Sequence, residues 1–164
     1  MPKVAELALA LAPGMDALII SCAADPGIAE VRSLVDIPVI GAGSAAAAAA
    51  MAFSGRVGVL GLKASVPGPI SETLGERMVL IDGPETVETT EGFLLPTGIF
   101  NSLAAAQMLV DTGADVIVEA STGLTSIGMA DVLRHRLGIP VIDPVIAAGA
   151  ILVSAAAARD LQAV

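Results

Sequence analysis

Short β-branched runs alternate with helical stretches along the whole chain. Asp16–Ser21 (DALIIS), Ile37–Ile40 (IPVI), Arg56–Leu62 (RVGVLGL), Val79–Ile81, Asp115–Ala120 and Ile139–Ile142 read as buried strands. Between them the pattern predicts helices over Lys3–Leu11, Pro26–Val35, Ser44–Phe53, Pro69–Met78, Gly98–Thr112, Ile127–Leu137 and Val145–Leu161. Gly and Pro mark many of their ends, as at Pro13-Gly14, Gly113 and Gly138. The segment Asp82–Pro96, acidic and rich in Thr, reads as a surface loop. Strand–helix alternation at this spacing predicts an α/β fold built from βαβ units, with mainly parallel sheets flanked by helices.

An internal repeat lies under this pattern. Asp16-Ala-Leu-Ile-Ile-Ser-Cys22 matches Asp115-Val-Ile-Val-Glu-Ala-Ser121, and Ile37-Pro-Val-Ile40 matches Ile139-Pro-Val-Ile142. An Ala-rich helix follows both. Two matches in the same order predict two pseudo-symmetric βαβα lobes. Residues 1–54 form the first, with the closing helix 145–164 packing back on it, and residues 55–144 form the second. The second copy has a strand before its first helix, whereas the first copy begins inside the equivalent helix. Either the chain is truncated there, or another segment or chain fills that sheet position.

Composition sharpens the picture. Hydrophobic residues make up 55% and charged residues only 15%, against about 25% charged in an ordinary domain. Strands covered on both faces account for the difference. A net charge of −9 speaks against nucleic acid, whose phosphates require clustered Lys and Arg. One cysteine excludes an internal disulfide and fits a reducing cytoplasm. With His135 the sole histidine, a zinc site of ordinary ligand spacing is not expected, so no metal is assigned. Mean hydropathy is high, at +0.83. Yet the charge-free stretches Ile37–Gly55, Gly92–Val110 and Pro144–Ala158 are broken by Pro, Gly and polar residues or are short and Ala-rich, so no membrane span is expected. A Leu/Ala run follows the start, but Glu6 interrupts it, so no signal peptide is expected.

In an open parallel sheet, ligands sit beyond the carboxyl ends of the strands. Cys22 and Ser121 both stand at such ends, at matching positions of the repeat. The repeat therefore predicts that they face each other across one cleft, each followed by a helix start whose free N–H groups favour an anionic oxygen. Bland readings stand beside the chemical ones. A lone cysteine can be a small buried hydrophobe, Ser121 and Thr122 can cap the next helix, and Asp25 can cap a helix beginning at Pro26. Gly27, Gly41 and Gly123 can serve turns or a close backbone approach. Lys63 can pair with a substrate carboxylate or be solvated. Glu119, inside a strand, reads as a paired or interface residue.

Cys22-Ala-Ala-Asp25-Pro26-Gly27 followed by Ile37-Pro-Val-Ile-Gly41 resembles the first-lobe motif of hydantoin racemases, within the aspartate/glutamate racemase superfamily. Asp115-Val-Ile-Val, Ser121-Thr-Gly and Gly138-Ile-Pro-Val-Ile-Asp143 resemble the second-lobe motif. The resemblance implies an enzyme that uses two cysteines and no cofactor, moving a proton at the α-carbon of a small carboxylate, amino acid or hydantoin. It places Cys22 and Ser121 in the catalytic positions and Ala23, Asp25, Lys63, Thr122 and Gly123 around the substrate. Ser121 departs from the pattern, because it stands where the second cysteine would be. A serine hydroxyl is too weak an acid to replace a thiol without a neighbouring base. A single-cysteine decarboxylase or isomerase and a family member that binds without catalysis are therefore alternatives. The low charge fraction and the absent opening strand also predict a homo-oligomer.

Overall fold

The computed structural model describes residues 2–62 and 66–160. Among the described residues six strands form two sheets, all of their pairings parallel. The small sheet joins β1 (Leu18–Ile20) to β2 (Val39–Gly41). The larger has the order β4-β3-β5-β6, from β4 (Met78–Val79), β3 (Val57–Leu60), β5 (Val116–Glu119) and β6 (Val141–Ile142).

The repeat reappears bond by bond. Leu18 pairs with Val39 in β1–β2, and Ile117 pairs with Val141 in β5–β6. Leu18 N–H donates to the carbonyl of Pro38 (2.9 Å), and Ile117 N–H to that of Pro140 (3.0 Å). The helices α2 (Ile28–Leu34) and α7 (Met129–Leu137) each start after a left-handed glycine, Gly27 at φ 71° and Gly128 at φ 65°. Each then returns an arginine to the neighbouring strand: Arg32 Nε donates to the carbonyl of Val39 (3.1 Å) and Arg134 Nε to that of Val141 (2.9 Å).

Helices cover both faces, as the low charge fraction requires. Val116 and Val118 of β5 pack with Val57 and Val59 against α3 (Ala42–Ala50) and α4 (Gly68–Leu74), while Ile117 packs on the other face against α5 (Pro96–Asp111) and α7. Alanine is the reason α3 can serve both sheets. Its Ala46, Ala47 and Ala50 meet the large sheet, and Ala45 meets Ala147 and Ala148 of α8 (Pro144–Asp160) beside Ile40 of β2. With no side chain longer than a methyl at these positions, the backbones approach closely. On the outer face of the small sheet, α1 (Pro2–Leu11) and α2 pack Ala5, Ala8 and Val31 onto Leu18 and Ile20.

β5 is paired on both sides, by β3 and β6. Its counterpart β1 has β2 on one side, and the described residues place no strand on the other. Among the described residues no helix is long and apolar enough to cross a membrane.

Three expectations change. The stretch read as one helix over Ile127–Leu137 is preceded by a separate short helix, α6 (Thr122–Ser126). The helix after Cys22 starts at Ile28 rather than Pro26, because Asp25 (φ 46°) and Gly27 turn left-handed first. The segment Asp82–Pro96 is not simply a surface loop. Val87 and Phe93 are fully buried in the core, and residues Thr90–Leu94 form a 3₁₀ turn leading into α5.

Candidate active site

The carboxyl ends of β1 and β5 open into one cavity of about 150 Å³, lined by Cys22, Ala23, Ala24, Leu62, Pro67, Thr90, Ala120, Ser121 and Thr122. Two strands in equivalent places of the repeat thus bring Cys22 and Ser121 to the same space. Thr122 Oγ1 donates to the carbonyl of Ser21 (3.4 Å), tying the segment after β5 to the segment after β1.

Cys22 is exposed and rides on a tight excursion of the chain. Its N–H donates back to the carbonyl of Ile20 (2.9 Å), and its carbonyl accepts from Asp25 N–H (3.0 Å). Because α2 begins six residues later, the thiol does not sit at the start of its own helix. What holds the turn is Asp25, buried to 4% exposure. Its carboxylate accepts hydrogen bonds from the N–H groups of Gly43 and Ser44, both at 2.8 Å, and from the Ser44 hydroxyl. These are the second and third residues of α3, so Asp25 caps α3 and not the helix that follows it. The neighbouring glycines make room. A Cβ on Gly41 would collide with the Asp25 carboxyl, and one on Gly43 with the carbonyl of Ala23.

Ser121 is 7% exposed and ends the extended run of β5. Its Oγ accepts from Gly123 N–H (3.3 Å), capping α6 and leaving the hydroxyl hydrogen free to donate. Gly123 sits behind the wall. A Cβ there would meet Thr90 Cγ2 at 2.6 Å and Phe93 Cδ2 at 3.1 Å. Thr90, in the segment expected to be a surface loop, is thereby pressed onto α6 between two buried anchors, Val87 and Phe93. The only signal for it was a pair of apolar residues inside an acidic stretch.

The structure therefore brings Cys22, Ala23, Ser121 and Thr122 together at the cavity. It places Asp25 and Gly123 behind it, Asp25 with both oxygens committed to α3. Lys63 lies outside the described residues. Among the described residues the wall carries no charged side chain, and no group of three or more His, Cys, Asp or Glu could hold a metal ion.

Glu119, two residues before Ser121, is fully buried, and neither of its carboxyl oxygens has a hydrogen-bond partner among the described residues. Burial first, and then the Asp143 carboxylate, push its pKa up to about 8 against the opposing pull of Arg134, with Asp131 adding a smaller upward push. The acid is thus neutral at pH 7, which is how it survives unpaired in a core. Of the paired and interface readings of the sequence, the paired one does not hold among the described residues.

Residues 1–152 match the Asp/Glu/Hydantoin racemase family. The chain belongs to that family. It is 34% identical over 157 residues to a hydantoin racemase of Rhizobium meliloti, a match covering 88% of this chain and 61% of the relative. The chain thus spans about three-fifths of the length of this curated racemase. Among solved structures, allantoin racemase from Klebsiella pneumoniae superposes with a TM-score of 0.78 at 24% identity, over 92% of this chain and 64% of that one. Arylmalonate decarboxylase superposes with a TM-score of 0.65 at 16% identity, over 94% and 75%. At these identities the likeness is one of fold, and it extends to racemases and a decarboxylase alike.

Proposed function

We propose that this racemase-family chain moves a proton at the α-carbon of a small substrate without a cofactor, with Cys22 as the acid–base group and Ser121 on the opposite side. The observation that carries the proposal is the shared cavity, reached by Cys22 and Ser121 from the ends of equivalent strands. Inversion at carbon needs groups on both faces, and the pseudo-symmetry of two lobes, 1–54 and 55–144, supplies that geometry. The thiol is exposed at the cavity and carried on a turn braced by Asp25. Ala23 and Thr122 complete the near wall, Lys63 belongs to the substrate-binding set proposed here, and Gly123 supports that wall from behind.

Substrate choice follows from the wall. With hydroxyls and backbone on the described wall and Lys63 as a single cation in the proposed set, it suits a ring with N–H and carbonyl edges, whose enolate would carry one negative charge, better than a free amino acid with two charges. A hydantoin is such a ring, and the relative from Rhizobium meliloti is named for one. A second reading is favoured by Ser121 itself. With one thiol at the cavity, decarboxylation followed by protonation from Cys22 needs no second acid, and the fold is shared with arylmalonate decarboxylase.

Alkylation of Cys22 tests the site. The rate of reaction with iodoacetamide should fall as hydantoins or malonates are added, because a bound ligand covers the thiol. Alkylation unaffected by every ligand of both classes would leave Cys22 without a substrate role.

A further inference from the structure

The strand that delivers Ser121 also carries a buried acid. Glu119 ends β5, and the next two residues, Ala120 and Ser121, line the cavity. Glu119 and Ser121 stand two residues apart on extended chain, so a displacement of one is passed to the other.

The β5–β6 register runs Ile117 to Val141 and Val118 to Ile142, and its next step sets Glu119 beside Asp143. Adjacent strands lie about 4.8 Å apart. In the first copy the equivalent pair is Ile20 and Gly41, which are in register and carry no charge. The second copy thus holds two carboxyl groups where the first holds none. Asp143 is committed, its carboxylate accepting from the N–H groups of Val145 and Ile146 at the start of α8. From α7, Arg134 favours the ionised form of Glu119 and Asp131 opposes it. Arg134, however, already donates to the carbonyl of Val141 and to Asp131. On the other side, β3 contributes Leu60, the register partner of Glu119.

An ionised Glu119 would therefore be a buried carboxylate with no hydrogen-bond partner among the described residues, facing a second carboxylate. Relief comes from turning the side chain outward. The β6 side gives way first, because that ladder has two registered pairs against four on the β3 side.

We propose that Glu119 is a positioning residue for the Ser121 wall: as the neutral acid it keeps the end of β5 in place, and loss of its proton displaces Ser121 and weakens ligand binding at the cavity. This rests on the reading of that cavity as the ligand site. Glu119 does not touch the ligand. It acts through the strand end, and the result is a reversible loss of binding at alkaline pH.

The test is the apparent dissociation constant of 5-methylhydantoin from pH 6.5 to 9.5, read as protection of Cys22 from iodoacetamide. Taking the rate with ligand against the rate without it, at each pH, cancels ionisation of the thiol. Ionisation of the probe is common to all variants. Between pH 7 and pH 9 the constant should rise about tenfold more in the wild type than in Glu119→Gln, since binding needs a neutral group that titrates at about 8. Asp143→Asn keeps an acceptor for α8 and removes the facing charge that pushes the Glu119 pKa up. The loss of binding should then set in at lower pH than in the wild type. Parallel curves for the wild type and Glu119→Gln, or an onset that does not move in Asp143→Asn, would overturn the positioning role and leave the ligand site standing. Absence of protection in the wild type at every pH would overturn the ligand site, and the positioning role with it.

Discussion

Asp25 does for α3 what Asp143 does for α8. The Asp25 carboxylate accepts from the N–H groups of Gly43 and Ser44. The Asp143 carboxylate accepts from those of Val145 (2.8 Å) and Ile146 (3.0 Å), the same second and third positions of the equivalent helix. In the second copy the cap is local. In the first it is borrowed from the turn that carries Cys22, with Gly41 standing where Asp143 would be. Helix capping and placement of the thiol are therefore one interaction.

Asp25→Ala is expected to lower stability by about 2 kcal/mol, since it removes a cap and leaves the N–H groups of Gly43 (buried) and Ser44 (half-buried) without their carboxylate partner. It should also change the alkylation rate of Cys22, by freeing the turn. Urea denaturation and iodoacetamide kinetics on the same variant check both effects. A loss of stability with an unchanged thiol rate would separate the cap from the site.

Glu119 gives the protein a specific pH dependence. In the unfolded chain its carboxyl ionises near the ordinary value of 4.5, whereas in the fold it holds its proton to about 8. The stability this provides is complete below pH 4.5, declines as pH rises through the interval, and is lost by about pH 8. The slope approaches about 1.4 kcal/mol per pH unit. Glu119→Gln keeps the shape and removes the titration, so its stability should fall less steeply between pH 5 and 8 than that of the wild type. Urea midpoints across that range measure the difference, and parallel curves would contradict it.

Gly123→Ala puts a methyl group 2.6 Å from Thr90 Cγ2 and 3.1 Å from Phe93 Cδ2. Thr90 must then shift outward, because Phe93 is fully buried and has less freedom to yield. The expected result is a loss of about 1–3 kcal/mol, the usual cost of overpacking, together with weaker ligand protection of Cys22. Crystallography of the variant would show whether Thr90 or the start of α6 moves.

The outer edge of β1 and the adjoining face of α1 predict self-association. Leu7 and Leu11 are each 61% exposed and line an apolar groove with Leu18 and Ile20. A strand edge that no strand among the described residues covers, beside such a groove, invites pairing. Light scattering at micromolar concentration should report a dimer or larger species, shifted toward monomer by Leu7→Lys with Leu11→Lys. A stable wild-type monomer would count against the expectation.

Much of this was legible in the chain itself. The buried strands announce themselves as short β-branched runs, and the paired Ile-Pro-Val-Ile segments locate the repeat that later appears in the ladder register. The meeting of Cys22 and Ser121 at one cavity followed from that repeat. The role of Asp25 did not. A carboxylate before Pro-Gly looks like a local cap, and only the packing of α3 against the turn redirects it to residues 18 and 19 positions away. Thr90 was hidden for a related reason. Its anchors, Val87 and Phe93, are isolated apolar residues among Glu85, Glu88 and Glu91, too sparse to form a periodic pattern. Glu119 was visible as a charge inside an apolar strand, but its lack of a partner depends on what the neighbouring elements bring.

The central claim is that Cys22 is the proton-transferring group and that Ser121 leaves the opposite face without an equal. Proton NMR of hydantoins and amino acids incubated with the protein in deuterium oxide tests it most directly. Deuterium should enter one enantiomer of an accepted substrate with retained configuration, and racemisation should be slow or absent. Cys22→Ala should abolish the exchange, and Ser121→Cys should add racemisation of the same substrate by restoring a thiol opposite Cys22. Fast racemisation by the wild type that persists in Cys22→Ala would contradict the account and place the chemistry elsewhere.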